Sequence, residues 1–160
     1  MMNIKEYSYP KTLTQLNQLL ADLSQLKNNV QQVHWYMRGH NFFSLHPLMD
    51  EYSEQLAEQT DTLGERIIAL GGSPFATIKE FIDNTGLPDE KISFAEFTLP
   101  ELITRLLKQF KYLRDQYQKG IEITDSEKDF PTQDILNGYK SDLDKIIWML
   151  SAYLNEDPLD

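Results

Sequence analysis

The chain contains no cysteine, which excludes disulfides and thiolate metal sites and suits a reducing cytoplasm. Any metal must be held by nitrogen and oxygen donors. Positive charge is scarce as well: 15 Lys and Arg stand against 25 Asp and Glu, a formal net charge of −10. That balance opposes binding to a phosphate backbone, whose affinity rests on Lys and Arg contacts. A basic arm does not offset it, because residues 1–11 offer only Lys5 and Lys11, with Glu6 between them. The charge suits solubility and the attraction of cations. No apolar run approaches the roughly 20 residues of a membrane span, and residues 1–7 lack the apolar stretch of a secretory signal. No segment sustains the two-residue alternation of a half-buried strand. These absences predict one cytoplasmic all-α domain over residues 1–160, with a short N-terminal segment 1–11 and no membrane partner.

What is present is helical periodicity. Residues 12–38 carry Leu16, Leu20, Leu23, Val30, His34 and Met37 at three- and four-residue spacing, and Gly39 is a natural stop. Ser44 suits the N-cap of a second helix that runs to Leu70 and ends at Gly71-Gly72, with Pro47 in its first turn. A long connection over residues 73–89 follows, in which residues 75–81 suggest a short helix. Thr98-Leu-Pro-Glu101 is the start signature of a third long helix bearing Leu102, Leu106, Phe110, Leu113 and Tyr117. An acidic turn over residues 125–131 leads to a fourth with Ile135, Tyr139, Leu143, Ile146 or Ile147, Leu150 and Leu154. Two long hairpins joined by a long crossover define a four-helix bundle of ferritin-like topology.

The chemistry gathers around the first hairpin. All three histidines, His34, His40 and His46, fall there. Along the second helix, His46, Asp50, Asp61 and Glu65 lie at about 0°, 40°, 60° and 100°, one narrow stripe of donors suited to iron, manganese or zinc. Their axial positions divide them. His46 and Asp50 are about 6 Å apart by the helical rise, whereas Asp50 and Asp61 are about 16 Å apart, too far to share one metal. Two antiparallel copies resolve the conflict. A two-fold axis between residues 55 and 56 sets 46 opposite 65 and 50 opposite 61, so each of two equivalent sites takes two donors from each chain. His34, near the end of the first helix and close to the turn, could complete the half-site of His46 and Asp50. A solvated polar face and a hydrogen-bonded core histidine are the plain alternatives at this point.

The stretch His34-Trp-Tyr-Met-Arg-Gly-His-Asn-Phe-Phe-Ser-Leu-His46, then Asp50 and Asp61-Thr-Leu-Gly-Glu-Arg66, closely resembles the signature of the Dps family of mini-ferritins. The resemblance continues through Gly71-Gly-Ser-Pro-Phe75, Lys79-Glu-Phe81, Lys119-Gly-Ile-Glu122 and Ile147-Trp-Met149, and it is nearest in character to the acidic members that do not bind DNA. It implies a hollow dodecamer with iron-oxidising sites at two-fold interfaces, with hydrogen peroxide as the oxidant and ferric iron stored inside. It implies the ligands His34, His46 and Asp50 from one subunit with Asp61 and Glu65 from its neighbour. Such a set holds two irons per site, with Glu65 able to bridge them, and zinc, manganese or cobalt could take the same donors. Trp35 matches a family aromatic position, where it is either an accessory electron donor beside His34 or a bulky core residue. Trp148 matches another. Asp125, Asp129 and Asp134 match the acidic lining of the family's three-fold iron-admitting pore.

Three departures stand out. Phe130 occupies a position where relatives often carry another acidic residue, and Ile146 one where they often carry histidine. Gly64 replaces a common alanine and suggests a close helix contact. The rival readings are a DNA-compacting protein, an inert helical shell with weak metal binding, and an ordinary di-iron oxidase. The last requires Glu-x-x-His motifs within one bundle, and helices three and four contain none.

Overall fold

A computed structural model describes residues 8–159; the segment 1–7, with Lys5 and Glu6, lies outside the described residues. Five helices follow in order: α1 (Pro10–Tyr36), α2 (Phe42–Ala69), the short α3 (Ile78–Asn84), α4 (Leu99–Glu127) and α5 (Phe130–Tyr153). Among the described residues there is no strand, and no helix is long and apolar enough to cross a membrane. α1 packs on α2, α4 on α5, and α1 on α4, while α3 lies against α1. The four long helices close around one apolar core that includes Leu16, Leu23, Val30, Met49, Leu56, Leu63, Phe110, Leu113, Tyr117 and Leu143. This is the ferritin-like four-helix bundle with a short helix in its crossover.

The helix boundaries follow local chemistry. α2 begins at Phe42, two residues before the expected Ser44 cap, because Asn41 adopts a left-handed conformation (φ 68°). Its carbonyl then accepts from the Ser44 and Leu45 amides at 3.2 and 3.0 Å. Pro47 consequently sits within the helix, past the first turn, and removes the amide that would have bonded to the Phe43 carbonyl. Phe43 is 90% exposed, so the lost bond falls at the surface. At the other end, Gly71 (φ 79°) reverses the chain, and the Gly71 and Gly72 amides bond to the Ile68 and Ile67 carbonyls at 2.9 Å.

α3 starts three residues later than the expected 75–81. Thr77 and Glu80 form a capping box in which each side chain accepts from the other's backbone amide. The same device, Thr98 with Glu101, starts α4 where its signature predicted. α4 runs on through Asp125 to Glu127, so the expected acidic turn shrinks to Lys128, left-handed at φ 63°, and Asp129, the N-cap of α5. Both Ile146 and Ile147 are buried.

Polar residues on α1 hold the crossover down. The fully buried Asp22 accepts from the Thr85 hydroxyl and the Gly86 amide, both at 2.9 Å, and from the Tyr112 hydroxyl at 3.2 Å. Burial, with the charge of Asp22 and this bond, pushes the Tyr112 hydroxyl up to about 12. A Cβ at position 86 would lie 2.1 Å from the Tyr112 oxygen, so any larger residue there would have to displace the Tyr112 ring. The N-terminus of α1 lacks a side-chain cap of its own. Glu127, at the end of α4, supplies one by accepting from the Lys11 and Thr12 amides at 3.0 and 2.8 Å.

Candidate metal centre

The α1–α2 turn brings His34 and His46 face to face. Their rings stack with centroids 3.7 Å apart and planes 12° apart, and Phe42 stacks on His46 at 4.7 Å. Each ring is locked by the other residue's backbone: His34 Nδ1 lies 2.8 Å from the His46 carbonyl, and His46 Nδ1 lies 2.9 Å from the His34 carbonyl. A carbonyl only accepts, so both Nδ1 atoms carry the proton. In the neutral rings both Nε2 atoms then present a lone pair, the tautomer a metal requires.

Asp50, one turn beyond His46, puts Oδ1 3.5 Å from His34 Nε2. Two donors each about 2.1 Å from a tetrahedral metal stand roughly 3.4 Å apart, so this separation suits two ligands of one ion. His34 and His46 are half-buried and Asp50 is exposed, which leaves the group open on one side. His34 is therefore placed by α1, and its locked ring faces the α2 donors rather than the core.

Asp61 and Glu65 lie farther along α2, both exposed, without a hydrogen bond or ion pair to any described residue. Among the described residues no group of three His, Asp or Glu side chains is gathered closely enough to hold a metal ion by itself. The single chain thus brings three of the five predicted ligands into one neighbourhood without closing a site. The other two stay apart from them, as the helical rise requires. His40 is exposed in the turn.

The remaining candidates separate into distinct surroundings. Trp35 is 67% exposed and Trp148 54% exposed, so neither is a core residue of this chain, contrary to the plain reading of Trp35. Asp125 and Asp134 are exposed. Asp129 differs from them: it is 1% exposed, accepts from Arg66 Nη2 at 3.1 Å, and caps α5 through the Thr132 amide and hydroxyl. Arg66 Nε also donates to the Thr132 hydroxyl at 2.8 Å. This clamp joins the end of α2, beside Glu65, to the α4–α5 turn. Its sequence signal is a lone arginine in an otherwise acidic segment, and its partner cannot be read from spacing. The reciprocal histidine bonds are equally hidden in the sequence, because they run to backbone carbonyls.

The ferritin-like domain family matches residues 13–159. A DNA protection during starvation protein of Listeria monocytogenes serovar 1/2a is 43% identical over 145 residues, covering 91% of this chain and 92% of that protein. Among solved structures, Dps from Listeria monocytogenes superposes with a TM-score of 0.91 at 43% identity, over 93% of this chain and 96% of that one. Dps from Listeria innocua soaked with cobalt gives 0.91 at 41% identity, over 100% of both chains. The continuous match in sequence and fold, spanning the histidine pair and the acidic stripe alike, shows that this chain belongs to the ferritin-like family and, within it, to the Dps proteins.

Proposed function

We propose that the protein is a ferroxidase that oxidises Fe(II) with hydrogen peroxide at sites shared across a two-fold interface and stores the ferric product in a hollow dodecamer. The observation that carries this reading is the locked histidine pair beside Asp50, with His46 and Asp50 on the same α2 stripe as two carboxylates that lie beyond their reach. His34, His46 and Asp50 of one subunit, with Asp61 and Glu65 contributed by the second copy, make up the donor set. Iron is the substrate: two Fe(II) give one electron each to the peroxide O–O bond. With hydrolysis, 2 Fe(II) + H2O2 + 2 H2O yields 2 FeOOH + 4 H+, balanced in atoms and charge.

The chain's own contribution is positioning. Imidazole and carboxylate donors suit Fe(II) without trapping it as thiolates would. The carbonyl-held Nδ1 protons fix both rings before metal arrives, so little ordering is left for binding. Glu65, with two oxygens, suits a bridge between two irons. Asp125 and Asp134, both exposed, are the candidate carboxylates for an ion-access route, while the buried Asp129 supports that turn from within. Trp35, exposed beside His34, is placed to meet either the partner subunit or the site as an accessory electron donor. Zinc, manganese and cobalt suit the same donors.

The relatives' name, DNA protection, favours one second reading, direct DNA compaction. The net charge of −10 argues instead for protection by removing the Fe(II) and peroxide that generate hydroxyl radicals. Replacing His46 and Asp50 together with alanine is expected to abolish rapid peroxide-dependent Fe(II) oxidation; an unchanged rate would refute the site. An anomalous-scattering map at the two-fold interface tests metal and ligands together. A gel shift at low salt decides DNA contact.

A further inference from the structure

The close helix contact expected of Gly64 is absent among the described residues, since a Cβ there meets no atom within 4 Å. At the other end of α2, two adjacent phenylalanines have quite different surroundings. Phe43 is 90% exposed. Phe42 is half-buried and packs against the core cluster. Its ring stacks on His46 with centroids 4.7 Å apart and planes 21° apart. His34 stacks on His46 as well, at 3.7 Å and 12°. Two rings cannot share one face at these separations, so Phe42 and His34 cover opposite faces and the imidazole is held between them.

This sandwich begins with the backbone. Asn41 in the left-handed region (φ 68°) starts α2 at Phe42. Phe42, His46 and Asp50 then follow at four-residue intervals, each about 6 Å beyond the last and nearly in line. Helical side chains lean toward the N-terminus, so the His46 ring leans back toward Phe42. A helix begun at Ser44 would leave Phe42 outside this regular spacing.

Two constraints act on His46, and they do different work. The bond from Nδ1 to the His34 carbonyl, at 2.9 Å, selects one of the two flipped orientations of the ring. It leaves the ring plane loosely defined, because hydrogen-bond directions at a carbonyl and the terminal torsion of histidine are both broad. Flat contacts on both faces define the plane, since turning about Cβ–Cγ would drive the ring edges into Phe42 or His34. We infer that Phe42 is a positioning residue of the proposed metal site: with His34 it fixes the plane of the His46 imidazole, and so the direction in which Nε2 presents its lone pair. The inference rests on the reading of His46 as a metal ligand. The lone pair lies in the ring plane, so a tilted ring misdirects it, and support of this kind around a ligand ordinarily carries about tenfold to a hundredfold in metal affinity.

The test uses the full-length protein and four variants. Phe42→Leu keeps apolar bulk without a flat face, Phe42→Tyr keeps the ring, Phe43→Leu changes the neighbour outside the sandwich, and His46→Ala is the reference for a broken site. The chain has three histidines, so histidine-selective labelling gives three sets of ring signals in the metal-free protein, and His46→Ala identifies one of them. The wild-type His46 ring protons are expected upfield of those of the exposed His40, shifted by the two stacked rings. Phe42→Leu is expected to move them part of the way back, and Phe42→Tyr to leave them in place. Zinc affinity by calorimetry is expected to fall about tenfold in Phe42→Leu and to hold in Phe42→Tyr and Phe43→Leu. KM for Fe(II) should rise in Phe42→Leu while kcat holds. Wild-type zinc affinity in Phe42→Leu, with His46→Ala impaired, overturns the role of Phe42 and leaves the site standing. An equal loss in Phe42→Tyr overturns it too, because the retained ring would then be insufficient. Should leucine disperse the assembly, the wild-type spectrum decides: His46 signals at the His40 position overturn the sandwich, and upfield signals with full affinity in Phe42→Tyr support it. Wild-type affinity in His46→Ala would sink the ligand reading itself, while the ring signals still report on the sandwich.

Discussion

Because the two histidines bond to each other's carbonyls, replacing one should leave part of the other's support intact. In His46→Ala the backbone carbonyl at 46 remains, so His34 Nδ1 keeps its acceptor. What is lost is the bond from His46 Nδ1 to the His34 carbonyl, the 3.7 Å stack with His34 and the 4.7 Å stack with Phe42. His34→Ala loses the mirror-image bond and the stack with His46 only. With about 1 kcal/mol for each hydrogen bond and about 1 kcal/mol for each stacked pair, His34→Ala costs about 2 kcal/mol and His46→Ala about 3 kcal/mol. The double change removes two bonds, the Phe42 stack and the shared stack once, about 4 kcal/mol in place of an additive sum of about 5. The coupling is thus about 1 kcal/mol and belongs to the shared stack alone. Denaturant unfolding of chelator-treated protein at fixed concentration and pH measures it. Additivity within error would refute the stacked arrangement. A coupling of about 3 kcal/mol would mean that the carbonyl bonds depend on each other, contrary to the geometry.

Burial raises the Glu127 carboxyl, but the Thr12 and Lys11 amides outweigh this and hold it below its ordinary 4.5. Its stabilisation is therefore complete above pH 4.5 and lost as pH falls through the lower folded value. Glu127→Gln should cost about 1 kcal/mol at neutral pH, and the gap from wild type should close in acid unfolding curves; a constant gap contradicts the cap. Arg66→Ala leaves Asp129 buried with only its Thr132 partners, so chemical unfolding should show a loss of about 2 kcal/mol, below the roughly 3–5 of a fully orphaned charge. A change under about 0.5 kcal/mol, the size of an ordinary surface substitution, refutes the clamp. Zinc at about a hundredfold above its dissociation constant should stabilise the assembled protein by about 2.7 kcal/mol per site; equal stabilisation of an Asp61→Asn, Glu65→Gln variant would refute a site that spans two chains.

The fold is legible because its strongest signals are periodic and local. Four apolar stripes, the Thr98–Glu101 box and the Gly71-Gly72 stop need no tertiary information. The structure departs from expectation where backbone conformation overrides side-chain preference. Asn41 in the left-handed region starts α2 before Ser44, and Thr77-Ile-Lys-Glu80 carries a capping signature that the phenylalanines flanking it obscure. Within the proposed site, residue types and spacing put the candidate donors on one stripe, too far apart for a single chain to gather around one ion. They do not show how His34 and His46 are held, because carbonyl partners carry no sequence signature. Nor do they separate Asp129 from Asp125 and Asp134. Three aspartates in one short stretch look alike until Arg66, folded in from a distant helix, buries one of them.

Division of the donors between chains has a physical consequence for assembly itself. Asp61 and Glu65 are exposed and without ion-pair partners in the single chain, and the proposed two-fold relation would bring each toward Asp50 and the histidines of the second copy. Bringing carboxylates together without a cation costs energy by like-charge repulsion, which screening at the surface reduces but does not remove. Neutral imidazoles on two of the five donor positions lower that cost, and their locked tautomer presents lone pairs where a cation would offset the rest. In the proposed shared site, the repulsion between these carboxylates is what a bound cation would relieve.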